Sequence, residues 1–166
     1  MTINGRVCVA TALAGDKFTA TVSSPTVGSN GAVIPAGATV VLEVVSVERA
    51  DPIENSKIQF HVRAIDVDGS AYPAEGHLAT LGTMEPGKVT SGSDRTKVVG
   101  GAVAGAVLGR ILGKSTKGAV IGAAAGAAAG GVAAKASRSS DACLPDGSPL
   151  SLTLSRELAI RRDGPI

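Results

Sequence analysis

From the N-terminus to about residue 85, apolar and polar side chains alternate in short runs broken by turn residues, the period of half-buried β-strands. Phe18, Ala20 and Val22 alternate with Lys17, Thr19 and Thr21 until Pro25 ends the run. Gly28-Ser29-Asn30-Gly31 and Pro35-Ala36-Gly37 are turn clusters on either side of Val33-Ile34. Thr39 to Val47 is a β-branched run, apolar on nearly both faces, which predicts a central strand covered on each side. Between Lys57 and Ile65 the pattern places Ile58, Phe60, Val62 and Ala64 on one face and Gln59, His61 and Arg63 on the other. Asp68-Gly69 is a hairpin signal with Tyr72 on the return strand. Short antiparallel strands at this spacing predict a small barrel or sandwich.

Pro86 to Asp94 is rich in Gly, Ser and Thr and reads as a loose linker. The period then changes. Gly101, Gly105, Gly109 and Gly113 recur every four residues, as do Gly118, Gly122, Gly126 and Gly130, with Lys114-Ser115-Thr116-Lys117 between the two sets. Residues four apart share a helix face, so each segment would present a glycine groove that admits another helix backbone. Each glycine costs about 1 kcal/mol of helix propensity, so close packing must compensate. Two such helices, Val98 to Gly113 and Gly118 to Ala134, joined by a polar link predict an antiparallel hairpin. Seventeen residues would span only ~26 Å against a ~30 Å hydrocarbon core, so membrane insertion is allowed but not demanded. Burial against further copies fits equally well. After Leu144-Pro145-Asp146-Gly147, Leu150, Leu152 and Leu154 alternate with Ser and Thr, predicting a strand over Leu150 to Ile160 that returns to the first β unit.

The expectation is therefore an α+β fold: a small antiparallel β-barrel or sandwich with an inserted glycine-zipper α-helical hairpin. Residues 1–88 form the first part of the β domain, 89–139 the linker and hairpin, and 140–166 the closing strand or strands.

Composition narrows the function classes. The chain has 166 residues, with 22 Gly, two Phe, one Tyr and no Trp, and 18% are charged, against roughly 25% in ordinary soluble domains. A mean hydropathy of +0.27 excludes a disordered polyampholyte, a class poor in apolar residues. So few aromatic rings cannot build stacking platforms for single strands, and no nucleic-acid partner is expected. The net charge of +2 hides an asymmetry: Lys88 to Arg138 carries eight basic residues and one acid, leaving −5 for the rest. Lys97, Lys114, Lys117 and Lys135 beside an apolar segment suit an anionic lipid surface or an acidic partner. The alternative is that they only keep an Ala/Gly-rich segment soluble.

Candidate chemistry is sparse. Cys8 and Cys143 are an even pair near opposite ends of the chain, either one bridge closing the fold or two separate buried thiols. Together with His61 and His77 they lack the spacing of a structural zinc site. Asp66-Val67-Asp68-Gly69 could open a calcium loop, but His77 stands where the closing Glu belongs, and a hairpin turn is the simpler reading. His61 reads as a solvated strand residue. Gly113-Lys114-Ser115 ends like a phosphate-binding loop, but Leu108 occupies the position of its first glycine. No nucleophile–base pair, cofactor motif or metal cluster is expected, hence no enzyme. Met1 to Arg6 lacks the basic and apolar regions of a secretory signal.

Gly15-Asp16-Lys17-Phe18-Thr19-Ala20, Ile34-Pro35-Ala36-Gly37-Ala38, the glycine period from Gly101 to Gly130, and Leu144-Pro145-Asp146-Gly147 occur in an order that resembles a bacterial envelope family of glycine-zipper proteins. The resemblance covers most of the chain. More faintly, the β part is similar to the outer-membrane core barrel of conjugative secretion systems, which also carries an inserted helical hairpin. The resemblance implies the outer membrane, periplasm or cell exterior and supplies no catalytic residues. The expected function is a non-enzymatic structural or assembly protein, a homo-oligomer associating through the glycine faces in a membrane, a ring or a filament. The alternative is a membrane-anchored module whose β domain binds an envelope ligand.

Overall fold

The computed structural model describes residues 1–28, 30–80, 83–88, 103–113, 118, 122, 140–158 and 160. Among the described residues, twelve strands are arranged as β1 (Thr2–Asn4), β2 (Val7–Cys8), β3 (Lys17–Thr21), β4 (Thr26–Val27), β5 (Val33–Ile34), β6 (Thr39–Glu48), β7 (Lys57–Val67), β8 (Ser70–Pro73), β9 (Gly76–Thr80), β10 (Glu85–Lys88), β11 (Ser140–Leu144) and β12 (Leu150–Leu154). Among the described residues an α-helix, α1, occupies residues 103–113, and a short 3-10 turn spans Ile53–Asn55.

The main sheet is antiparallel in the order β1-β3-β6-β7-β9-β12, with β8 hairpinned onto β7. It curls into a half-barrel, and at one end its edges meet. Thr2 bridges Pro149, Ile3 N–H donates to Ser148 O (3.0 Å), and Leu150 N–H donates to Met1 O (2.8 Å). The curl originates in β6 and β7, whose register slips between Val41 and Leu42 and between Val44 and Ser46. A bulge bends its strand and switches which face each later residue serves. At the first slip Arg63 is the extra residue, so Val62 and Ile65 lie in the main core while Ala64 lies on the opposite face. At the second, Val45 is extra and is pushed out to 49% exposure between the inward Val44 and Val47. The alternation expected for Lys57 to Ile65 is thereby corrected at Ala64.

The concave side holds the main core. Phe18, wholly buried, meets Phe60 edge to face with ring centroids 6.3 Å apart. Leu42, Val44, Val62, Ile65 and Leu150 surround them. A second sheet, β10-β11-β2, contributes Val7, Ala142 and Leu144 to the same core. Its register pairs Lys88 with Ser140 and Glu85 with Cys143, so Pro86 to Lys88 is strand where a linker was expected. At the other end, the predicted Leu150–Ile160 strand stops at Leu154.

The convex side carries α1. Ala104 and Val107 are buried against Val41 and Ala64, with Ala71, Leu108 and Ile111 packed around them. Small side chains on the sheet let the helix lie close. The β7–β8 turn, with Asp68 at φ 50° and Gly69 at φ 81°, is the two-residue form that needs both central residues left-handed. Arg110 donates to Gly69 O and faces Asp66 at 3.7 Å, latching α1 to that turn.

The expected α+β class with an inserted helical hairpin is thus corrected. The fold is mostly β with one helix, and that helix is laid on the sheet, not projected from it. A glycine-rich helix needs tertiary packing to offset its poor propensity, and the sheet supplies that packing through Val41 and Ala64. The segment expected as the second helix, Gly118 to Ala134, lies outside the described residues except for Gly118 and Gly122. Among the described residues no helix is long and apolar enough to cross a membrane.

Candidate functional site

Beside Met1, which precedes β1, the half-barrel wall opens between β12 and the β4–β5 hairpin. The gap is a cavity of about 530 Å³ lined by Val22, Ile34, Ile65, Leu152, Leu154 and Leu158, with Thr26, Ser155, Arg156 and Glu157 at its polar edge. The hairpin forms because its tip turns tightly. Gly28 N–H donates to Ala32 O (2.8 Å) and Gly31 N–H to Gly28 O (2.9 Å). Asn30 ties the tip to the chain after β12, its Nδ2 donating to Leu158 O (3.2 Å) while its Oδ1 accepts from Ala32 N–H (3.1 Å). A second depression of about 810 Å³ adjoins across Asn30, Ala32 and Leu158 and reaches Val33, Val67 and Ile160. Val27, 67% exposed, leaves the hairpin with an apolar outer rim.

Cys8 and Cys143 face each other across β2 and β11 and are bonded. Val9 N–H donates to Ala142 O (2.9 Å), which makes the Cys8–Cys143 rung the non-hydrogen-bonded kind, where opposed side chains come closest. A Cβ on Gly87 of β10 would stand 2.8 Å from Cys143 Sγ, so glycine is what leaves room for the bridge. Asp141, on β11, has donor atoms within reach of both sulfurs. These three do not make a metal centre: the sulfurs are bonded to each other, and the carboxylate accepts from Arg49 Nη2 (2.8 Å) and from Ala10 N–H.

The structure brings part of the glycine set together. A Cβ on Gly109 would collide with the Gly118 carbonyl, one on Gly122 with the Gly105 carbonyl, and one on Gly118 would lie 3.0 Å from Gly113 Cα. This close approach is within one chain. Gly101, Gly126 and Gly130 lie outside the described residues, as do Lys97, Lys114, Lys117 and Lys135. Gly109→Ala is expected to separate the contact, at the roughly 1–3 kcal/mol of an overpacked site. Hydrogen exchange should accelerate in α1 while β6 and β7 stay protected; unchanged exchange in α1 would show that the backbones do not stay in contact in solution.

On the convex side next to α1, strand register aligns one polar row. Lys17, Glu43, His61, His77 and Thr153 stand opposite one another on β3, β6, β7, β9 and β12. Glu43 accepts from Arg63 Nε (2.9 Å) and Nη2 (3.2 Å) and lies 3.9 Å from Lys17. The Glu43 hydrogen bond and charge hold the Arg63 guanidinium above its ordinary pKa, so it stays a cation. Glu75, beyond His77, pairs with Arg156 at 3.4 Å.

The glycine contacts and the cysteine pair were visible as sequence positions. The cavity, the Asp141–Arg49 pair and the partner of His61 were not, since each joins residues that only strand pairing makes neighbours. Comparison with protein-family models, curated proteins and solved structures finds no match to this chain.

Proposed function

We propose that this chain is a non-enzymatic binding module of the bacterial cell envelope or exterior, whose β body takes an elongated apolar ligand. The observation that carries the reading is the cavity beside β12. Its wall is apolar, its edge is polar and its size is in the range of small-ligand sites, the usual make-up of a pocket that orients a mostly hydrophobic guest. The buried Cys8–Cys143 bridge supports a compartment outside the cytoplasm, because such bonds persist where thiols are not kept reduced. The resemblance to envelope glycine-zipper proteins points the same way.

The test uses the apolar fluorophore ANS and a cavity-filling variant. Native protein is expected to bind one ANS per chain, and Leu152→Trp to weaken that binding at least about tenfold with an unchanged circular dichroism spectrum. Equal binding by the folded variant would remove the cavity from consideration.

Self-association is a second reading, favoured by Leu112, which α1 leaves 86% exposed. Gly105 and Gly109 already meet Gly122 and Gly118 of the same chain, so a second copy would contact the Leu112 flank. Light scattering in plain buffer separates the readings: a monomer supports the binding module, and ordered polymers support assembly.

A further inference from the structure

We propose that His61 and His77 together form a binding site for a divalent transition metal ion of the zinc, copper or nickel type. The chain contains two histidines in all. They come from different strands, β7 and β9, and face each other across the rung that joins those strands. Both are exposed, so ions reach them from solution. The rings stand edge to face at 82° with centroids 5.7 Å apart. An ion 2.0–2.1 Å from a ring nitrogen lies roughly 3.2 Å from that ring's centroid, so two imidazoles on one tetrahedral ion have centroids roughly 5.2 Å apart. The observed separation is within a small side-chain rotation of that value.

The rest of the row suits a cation held by neutral donors. Glu43 stands opposite His61 but is engaged by Arg63 and Lys17, so it supplies negative potential nearby and not a ligand. Thr153 flanks His77 on β12 without charge. Glu75, paired with Arg156, is the other acid close to the row. Two imidazoles leave the remaining positions of the ion to water, a donor set that suits zinc, copper and nickel and disfavours the oxygen-seeking magnesium and calcium. The site stands on the face of the sheet opposite to Leu152 and Leu154, which line the cavity, and does not depend on the ligand-binding reading.

The experiment is calorimetric titration of the whole chain, free of any affinity tag, with Zn²⁺ and separately with Cu²⁺, for native protein, His61→Gln, His77→Gln and the double variant. The expected result is one ion per chain, bound at least about tenfold more weakly in each single variant, where one imidazole remains, and not at all in the double variant. Proton NMR of the two imidazoles should show both rings shifting together with the metal. Binding that survives in the double variant, a response from one ring alone, or no binding up to about 1 mM metal would overturn the proposal.

Discussion

Replacing Cys8 and Cys143 with Ala is expected to lower the thermal midpoint by roughly 8–16 °C, the counterpart of about 4 kcal/mol in a chain of this size. The bridge joins residues 135 positions apart, and in the chain-entropy account a loop of that length is among the more stabilising ones. The enthalpic side is local. Cys8 and Cys143 are almost fully buried, and they fasten β2 to β11, a ladder of two registered pairs. Two pairs of residues hold a strand weakly, so without the bond β2 should fray and carry Val7 and Val9 out of the core. The Asp141 contacts with Arg49 and Ala10 would be left to hold that corner. The measurement is paired unfolding of native and variant protein, with reductant added to the native sample as a check. Coincident melting curves would mean that the corner is held by packing alone.

The second large effect is expected at Phe18. Phe18→Ala should cost about 3–5 kcal/mol, the usual range for removing a buried aromatic ring from a core. The chain has two phenylalanines, one tyrosine and no tryptophan, and among the described residues Phe18 and Phe60 are its paired benzene rings. Around it the core is built largely from Val, Ile, Leu and Ala. A total stability of order 5–15 kcal/mol makes this loss a large fraction of the whole. Urea unfolding should show a lower midpoint at an unchanged slope, and Phe18→Leu should recover most of the loss. A cost for Phe18→Ala below about 1 kcal/mol would show that the curl is held elsewhere than at this ring pair.

What the sequence made legible follows from the range of each interaction. β3, β6, β7 and the Asp68-Gly69 turn could be read directly, because alternation and turn chemistry are local. The facing of Ala64 could not. Arg63 becomes the extra residue of a bulge only when β6 is beside it, and that shift delivers Ala64 to α1. The first glycine period correctly marked residues 103–113 as helical, yet its main support turned out to be the sheet surface at Val41 and Ala64, which no periodicity encodes. At the candidate site the turn around Gly28 and Asn30 was visible, whereas the cavity arises between β12 and a hairpin more than a hundred residues upstream. His61 was placed outward by alternation alone. That His77 would stand beside it required the pairing of β7 with β9.

The rung between Lys88 and Ser140 has a consequence for how such a chain can change. The chain leaves this ladder at Lys88 and rejoins it at Ser140, its partner on the rung, so the distance to be bridged there is the same whatever length of chain intervenes. Doubling that length costs only about 0.6 kcal/mol of closure entropy. The β body therefore sets little limit on the length threaded through this doorway, provided α1 still covers Val41 and Ala64. Changes of length outside α1 leave the strands on either side with the same partners.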